Sequence, residues 1–236
     1  MTGASSGIGR ETARQLAADG TDLVVVARDE TRLEELAAEV DVECEVMVAD
    51  LAGPGSVSRV EDRLRDTSAP IDLLVNNAGF GHQGVFHELD LEREAAVVDV
   101  NIVALHRLAH VAAASMVASG RGGILNVSSM AGFMAAPGTA TYAATKAFVT
   151  ALSEAMHSEL APLGVHVSAL CPGYTRTEFQ ERAGYDTSNL PDVVWQSAEE
   201  VAAAGLAGIA ANRTVVVPGA KNKVGASLIN FLPGAA

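Results

Sequence analysis

The sequence predicts an α/β fold: a doubly wound parallel sheet with helices on both faces. Three observations carry this. Extended apolar runs alternate with helical patterns along the chain. Those runs are apolar at nearly every position, as strands buried on both faces require. Hydrophobic residues make up 49% of the 236 while aromatics reach only 4%, so Ala, Val and Leu must fill the core.

In order, Gly7–Asp19 reads as a helix opened by a glycine-rich turn, and Asp22–Ala27 as a buried strand. Glu30–Glu39 is a charged amphipathic helix with Leu33 and Leu36 facing inward, Cys44–Ala49 a strand, Ser56–Asp66 a helix and Ile71–Val75 a strand. Leu91–Ser119 holds one long helix and Gly123–Val127 the next strand. Thr141–Leu160 is a helix, Val165–Cys171 a strand, Ala198–Ala211 a helix and Thr214–Val217 the last strand, before a short apolar helix that ends at Phe231-Leu232-Pro233. Repeats, low-complexity tracts and linkers are absent, so one domain over 1–236 is expected. The irregular stretch Tyr174–Gln196 should hold a short helix and act as a substrate lid (residues 174–197), because long loops in compact domains usually serve function.

The net charge of −13 argues against nucleic acid and anionic membranes, both of which call for a basic surface. Cys44 and Cys171 sit in apolar strand-like runs and read as buried reduced thiols rather than a disulfide or a metal site. His106 and His110 are four apart on a helix, but no Cys or carboxylate accompanies them at ligand spacing, so no metal is expected. No stretch reads as long and apolar enough to span a bilayer and no secretory signal opens the chain, so a cytoplasmic protein is expected.

The chemistry is concentrated in Tyr142-Ala-Ala-Thr-Lys146, with Ser129 thirteen positions upstream. A Tyr and a Lys four apart on one helix share a face. The ammonium can lower the phenol from its ordinary value of about 10, giving an acid–base group that works near neutrality. With only three Lys and three Tyr in the chain, the pairing stands out. Each residue also has a plain reading: a core Tyr, a solvated Lys, a turn Ser.

Other motifs keep company with it. Thr2-Gly3-Ala4-Ser5-Ser6-Gly7-Ile8-Gly9 opens the chain, Asn76-Asn77-Ala78-Gly79 follows Ile71–Val75, Asn101 lies in the long helix, and Pro172-Gly173 ends Val165–Cys171. In this order and spacing, from Thr2 to about Gly219, the chain resembles the short-chain dehydrogenase/reductase family.

That resemblance implies a Rossmann-type fold and a nicotinamide dinucleotide. The turn residues Gly3, Ser5, Ser6, Gly7, Ile8 and Gly9 would hold the pyrophosphate at a helix N-terminus. Asp50 and Leu51 would contact the adenine, although a turn role is open for Asp50. Asn77, Ala78 and Gly79 would line the adenosine side, with Asn76 bracing the sheet. Pro172, Gly173, Thr175 and Thr177 would hold the nicotinamide carboxamide and phosphate, with Arg176 a surface charge on the lid. NAD-selective relatives place an acidic residue at the end of the second strand. This chain has Ala27-Arg28 there, and Arg28 can grip a 2′-phosphate, with Asp29 as helix cap, so NADP(H) is favoured over NAD(H).

By the family mechanism, Tyr142 is the general acid/base. Lys146 tunes it and bonds the nicotinamide ribose, Ser129 holds the substrate oxygen, and Asn101 anchors a water that relays protons to Lys146. Ser128 should face the other side of its strand end. The expected activity is hydride transfer between NADP(H) and a small carbonyl or secondary alcohol. Phe80, Phe133, Met134, Tyr174, Phe179 and Trp195 suggest a hydrophobic substrate, and His82 could touch it. Dimers or tetramers would form through Leu91–Ser119 and Thr141–Leu160. The rival reading is a catalytically silent dinucleotide-binding sensor or scaffold, against which the intact Ser129, Tyr142, Lys146 and Asn101 argue.

In the family fold the glycine turn follows a first strand, yet only Met1 precedes it here. A gap is therefore expected between Asp22–Ala27 and Ile71–Val75, where each buried unpaired backbone group costs about 1–3 kcal/mol. The sequence reading is that the start is mis-assigned or trimmed; a second rival is that this form of the chain, lacking the strand, is misfolded and inactive.

Overall fold

Parallel strands form the centre of the molecule in two sheets, β1-β2 and β3-β4-β5-β6. The structure is a computed structural model and describes residues 1–134 and 136–222. The expected apolar helix before Phe231 lies outside the described residues.

In chain order the elements are α1 (Gly7–Ala18), β1 (Leu23–Ala27), α2 (Glu30–Glu39), β2 (Cys44–Val48), α3 (Pro54–Arg65) and β3 (Leu73–Asn76). There follow α4 (Leu91–Val98), a π turn (Asp99–Ala104), α5 (Leu105–Ser119), β4 (Gly122–Val127) and α6 (Ala140–Leu160). The chain continues through β5 (Val165–Leu170), α7 (Phe179–Ala183), α8 (Ala198–Ala210) and β6 (Val215–Val216). Every strand pairing is parallel.

Burial explains the pattern. β4 and β5 are buried almost throughout, as their unbroken apolar runs require. Edge strand β2 is only half-buried. Leu33 and Leu36 of α2 are fully buried against Val25 of β1 and Ala13 and Ala17 of α1. On the other face Leu108, Ala109, Ala112 and Met116 of α5 join Val57, Val60 and Leu64 of α3 in a second cluster over β3 and β4. Asn76 also braces the sheet: its Nδ2 donates to Asn126 Oδ1 at 3.0 Å.

Among the described residues no strand lies between β1 and β3. Met1–Gly3 joins the two sheets at their carboxyl ends instead. Thr2 N donates to Val75 O at 3.0 Å, Val26 N to Met1 O at 2.9 Å and Gly3 N to Val26 O at 2.8 Å. The Thr2 hydroxyl accepts from both Asn77 N and Ala78 N at 3.0 Å.

Two expectations need correction. Leu91–Ser119 is, by length and composition, long and apolar enough to cross a membrane. Its inward face packs against α3 and the sheet. Nor is it one regular helix: the π turn interrupts it and brings Asn101 to a fully buried position. Such insertions carry no residue signature and are frequent at functional sites.

Candidate active site

The loops at the carboxyl ends of the strands enclose a cleft of about 1320 Å³. Sites for single drug-sized ligands span roughly 300–1,000 Å³, so this cleft has room for a dinucleotide and a second molecule.

One end is built by the turn into α1. Gly3 (φ +66) and Gly7 (φ +53) adopt the left-handed backbone that favours glycine. A Cβ at Gly7 would press on Thr177 at 3.0 Å. The Ser6 side chain makes no cap and the first turn of α1 holds no acidic residue, so the orphan N–H groups stay available to an anion. Gly3, Ser5, Ser6, Gly7 and Ile8 all line the cleft. Gly9 does not, and this corrects the grouping of the turn residues. It is buried behind the turn, where a Cβ would strike Gly3 O and Asn77 Nδ2. Asn77 braces that turn, its Nδ2 donating to Gly3 O at 3.1 Å and to Thr2 O at 3.2 Å.

At the end of β1, Arg28 is exposed on the cleft, and among the described residues its side chain makes no hydrogen bond or ion pair. Asp29 is committed elsewhere. Its carboxylate caps α2 by accepting from Arg32 N at 3.1 Å. Asp50 and Leu51 line the same wall, and the Asp50 carboxylate also accepts from Ala52 N at 3.1 Å in a local turn.

At the other end Ser129, Tyr142 and Lys146 share the cleft wall with Gly79, Pro172 and Thr175. Lys146 Nζ lies 5.7 Å from the Tyr142 ring centroid and donates to Val127 O at 2.8 Å. Burial lowers the ammonium to about 8. Burial also pushes the Tyr142 phenol well above its ordinary range, while the Ser129 hydroxyl pulls it back. Desolvation thus outweighs any lowering by Lys146, whose ammonium donates to a backbone carbonyl. Ser128 also lines the cleft, contrary to the expected turn to the other side, but it is buried and its Oγ donates to Lys146 O at 2.7 Å.

Asn101 is off the cleft. Its Oδ1 accepts from Phe80 N at 3.1 Å, and its Nδ2 donates to Phe80 O at 2.9 Å and to Thr145 Oγ1 at 3.0 Å. Both ends of the amide are thus bonded to the protein. It fixes the Phe80 loop against α6, one position before Lys146.

The aromatic forecast is also split. Phe80, Met134, Tyr174 and Phe179 line the cleft, whereas Phe133 and Trp195 do not. Trp195 packs on Tyr174 and carries the Arg176 guanidinium at 5.2 Å from its ring. The segment after β5 closes at its base, where Gln196 N donates to Tyr174 O and Arg176 N to Gln196 O, each at 2.9 Å. Its helix α7 brings Phe179 to 5.4 Å from the Tyr142 ring, between centroids. Asn222 was missed altogether. It lines the cleft against Gly173, where a Cβ would meet its Nδ2 at 2.7 Å, and it donates to Gln196 Oε1 at 2.7 Å. No pattern around position 222 signals such a role.

Residues 1–187 match the family described as short chain dehydrogenase. An uncharacterized oxidoreductase of Staphylococcus epidermidis is 31% identical over 200 residues, spanning 82% of this chain and 87% of its own. The 3-oxoacyl-[acyl-carrier-protein] reductase of Synechocystis sp. is 35% identical over 185 residues, spanning 77% and 75%. Among solved structures, the short-chain dehydrogenase from Sphingobium yanoikuyae in complex with NADPH is similar at a TM-score of 0.87 and 38% identity, covering 100% of this chain and 96% of that one. The bulky-bulky ketone specific alcohol dehydrogenase from Comamonas testosteroni is similar at 0.82 and 34%, covering 100% and 94%. With a Rossmann-like sheet and a family match over most of its length, the chain belongs to the short-chain dehydrogenases, oxidoreductases acting on CH–OH and ketone groups.

Proposed function

We propose that the protein is an NADP(H)-dependent oxidoreductase that interconverts a hydrophobic ketone or aldehyde and its alcohol, with Tyr142 as general acid/base. The observation that carries this reading is the convergence of Ser129, Tyr142 and Lys146 on a cleft whose far end is an uncapped helix N-terminus. The dinucleotide fits the residues present: the uncapped turn takes the pyrophosphate, and Arg28 takes the 2′-phosphate. Bound there, the nicotinamide supplies or receives the hydride.

The chain's own residues do the rest. Ser129 donates a hydrogen bond to the substrate oxygen, where charge develops as the carbonyl is reduced. Tyr142 delivers its proton to that oxygen and takes it back in the reverse direction. Lys146, charged at neutral pH, stabilises the phenolate left behind. Asn101 is a positioning residue that holds the Phe80 loop against α6. The segment 174–197 serves as the lid, with Phe179 covering Tyr142, in a single domain. The 3-oxoacyl reductase and the ketone-specific dehydrogenase among the relatives support a carbonyl substrate. The preference for the phosphorylated nucleotide rests on Arg28, and on Asp29 being spent as a cap. A second copy of the chain docks on the outer face of α4 and the π turn, where Leu91 and Val103 are exposed; sedimentation tests this.

NADPH oxidation against a ketone and aldehyde panel, with Tyr142→Phe alongside, is the deciding experiment. Tyr142→Phe should lose about 10²–10⁴-fold in kcat while still binding NADPH. Retained turnover refutes the role of the phenol.

A further inference from the structure

Beyond Tyr142 the cleft wall carries His82, paired with Glu94 outside the cleft lining, and the mechanism above uses neither. His82 Nδ1 lies 3.0 Å from Glu94 Oε1, and both side chains are nearly buried, at 12% and 9% exposure. The pair joins two elements that no regular structure connects: the loop after β3 and helix α4. The Phe80 ring meets the imidazole edge-on at 5.6 Å. His82 still lines the cleft. With Nδ1 engaged by Glu94, the other ring nitrogen, Nε2, has no protein partner among the described residues. A carboxylate behind one nitrogen orients the ring and leaves the other for a ligand.

Its position relative to the chemistry is set by Gly81. A Cβ there would fall 2.6 Å from Cδ2, 2.9 Å from Cγ and 3.0 Å from Cβ of Tyr142, so the residue before His82 packs on the root of the catalytic side chain. His82 shares the wall with apolar Ala96, Val100, Met134 and Phe179 and with polar Arg93, Gln180 and Arg182. A few placed polar groups among apolar ones are how small-molecule pockets select orientation.

From this we infer that His82, held by Glu94, is a specificity-determining residue that binds a second hydroxyl on the substrate. The substrate class is a hydrophobic hydroxyketone, or the matching diol in the reverse direction. A hydroxyl both donates and accepts, so it pairs with Nε2 in either protonation state of the ring. The inference rests on the carbonyl reductase reading and deepens it.

Matched ketones test it, each pair exchanging a methyl for a hydroxyl: 2-hydroxyacetophenone against propiophenone, and 3-hydroxypropiophenone against butyrophenone. Kinetics are run with NADPH on the full chain, His82→Phe and Glu94→Gln. A hydrogen bond of this kind discriminates by about tenfold or more. The wild type should prefer the hydroxyketone of at least one pair by that ratio in kcat/KM. His82→Phe should bring the ratio down to that set by intrinsic reactivity, with the loss falling mainly on KM. Glu94→Gln, which keeps an acceptor for Nδ1 and so protects the fold, should reduce the ratio only in part. An unchanged ratio in both variants overturns the inference, as does turnover of both ketones of each pair without preference. Turnover of none of the four by the wild type refutes the reductase reading, and this inference with it.

Discussion

Replacing Lys146 by Met should make the protein more stable and inactive at once. The ammonium is 4% exposed and burial lowers it from 10.5 to about 8. That difference corresponds to about 3 kcal/mol of destabilisation at neutral pH. Met removes this cost but also removes the bond to Val127 O, which contributes about 1 kcal/mol. The net gain is about 2 kcal/mol, or about 4–8 °C in Tm for a chain of this size.

The pH dependence gives the sign. A lysine whose folded value is depressed carries its full penalty below the folded value, because both states are then charged. Between pH 8 and 10.5 the native state releases its proton while the unfolded state keeps it, so wild-type stability rises with pH relative to the variant. The margin of Lys146→Met should therefore be largest at pH 7 and close by about pH 10.5. Burial raises the Cys171 thiol and the Lys146 ammonium lowers it, so loss of that charge adds a smaller contribution to the difference between the two proteins. Urea melts of both proteins at pH 7, 9 and 10.5 measure it. A variant less stable than wild type at pH 7, or a margin that does not shrink with pH, would refute the burial argument.

Arg28→Ala should weaken NADPH binding by about 10–100-fold, the range for a lost charge-assisted bond, and leave NADH within about twofold; calorimetric titration with each nucleotide reads this, and equal losses would remove the 2′-phosphate role. Gly9→Ala should cost about 3 kcal/mol, as overpacking against Gly3 O adds to the lost Asn77 bond. Gly55→Ala, where nothing lies within 4 Å of the new Cβ in the first turn of α3, should be neutral or stabilising by up to about 1 kcal/mol. Thermal melts separate the two, and similar Tm values would show that the turn relaxes around the methyl.

The sequence by itself determined the α/β class, the order of the elements and the family, because these depend on local periodicity and on short motifs whose residues lie close together along the chain. From α1 to β6 the predicted helices and strands are present within a few residues of their expected ends, except that the helix expected over Leu91–Ser119 is broken by the π turn. The Asp29 cap was legible for the same reason: it involves only Arg32, three residues on.

Tertiary structure decided what depends on distant partners. Gly9 and Gly7 look alike in the sequence, yet one packs behind the turn and the other opens on the cleft. Asn101 belongs to the motif set, but a π turn carries its amide to Phe80 and Thr145. Phe133 and Trp195 are as apolar as Phe80 and Phe179 and end up off the cleft. Asn222 enters the site from near the other end of the chain and meets Gly173 across forty-nine positions of sequence. The protonation of Tyr142 and Lys146 follows burial rather than their four-residue spacing, because desolvation is set by the whole fold packed around them.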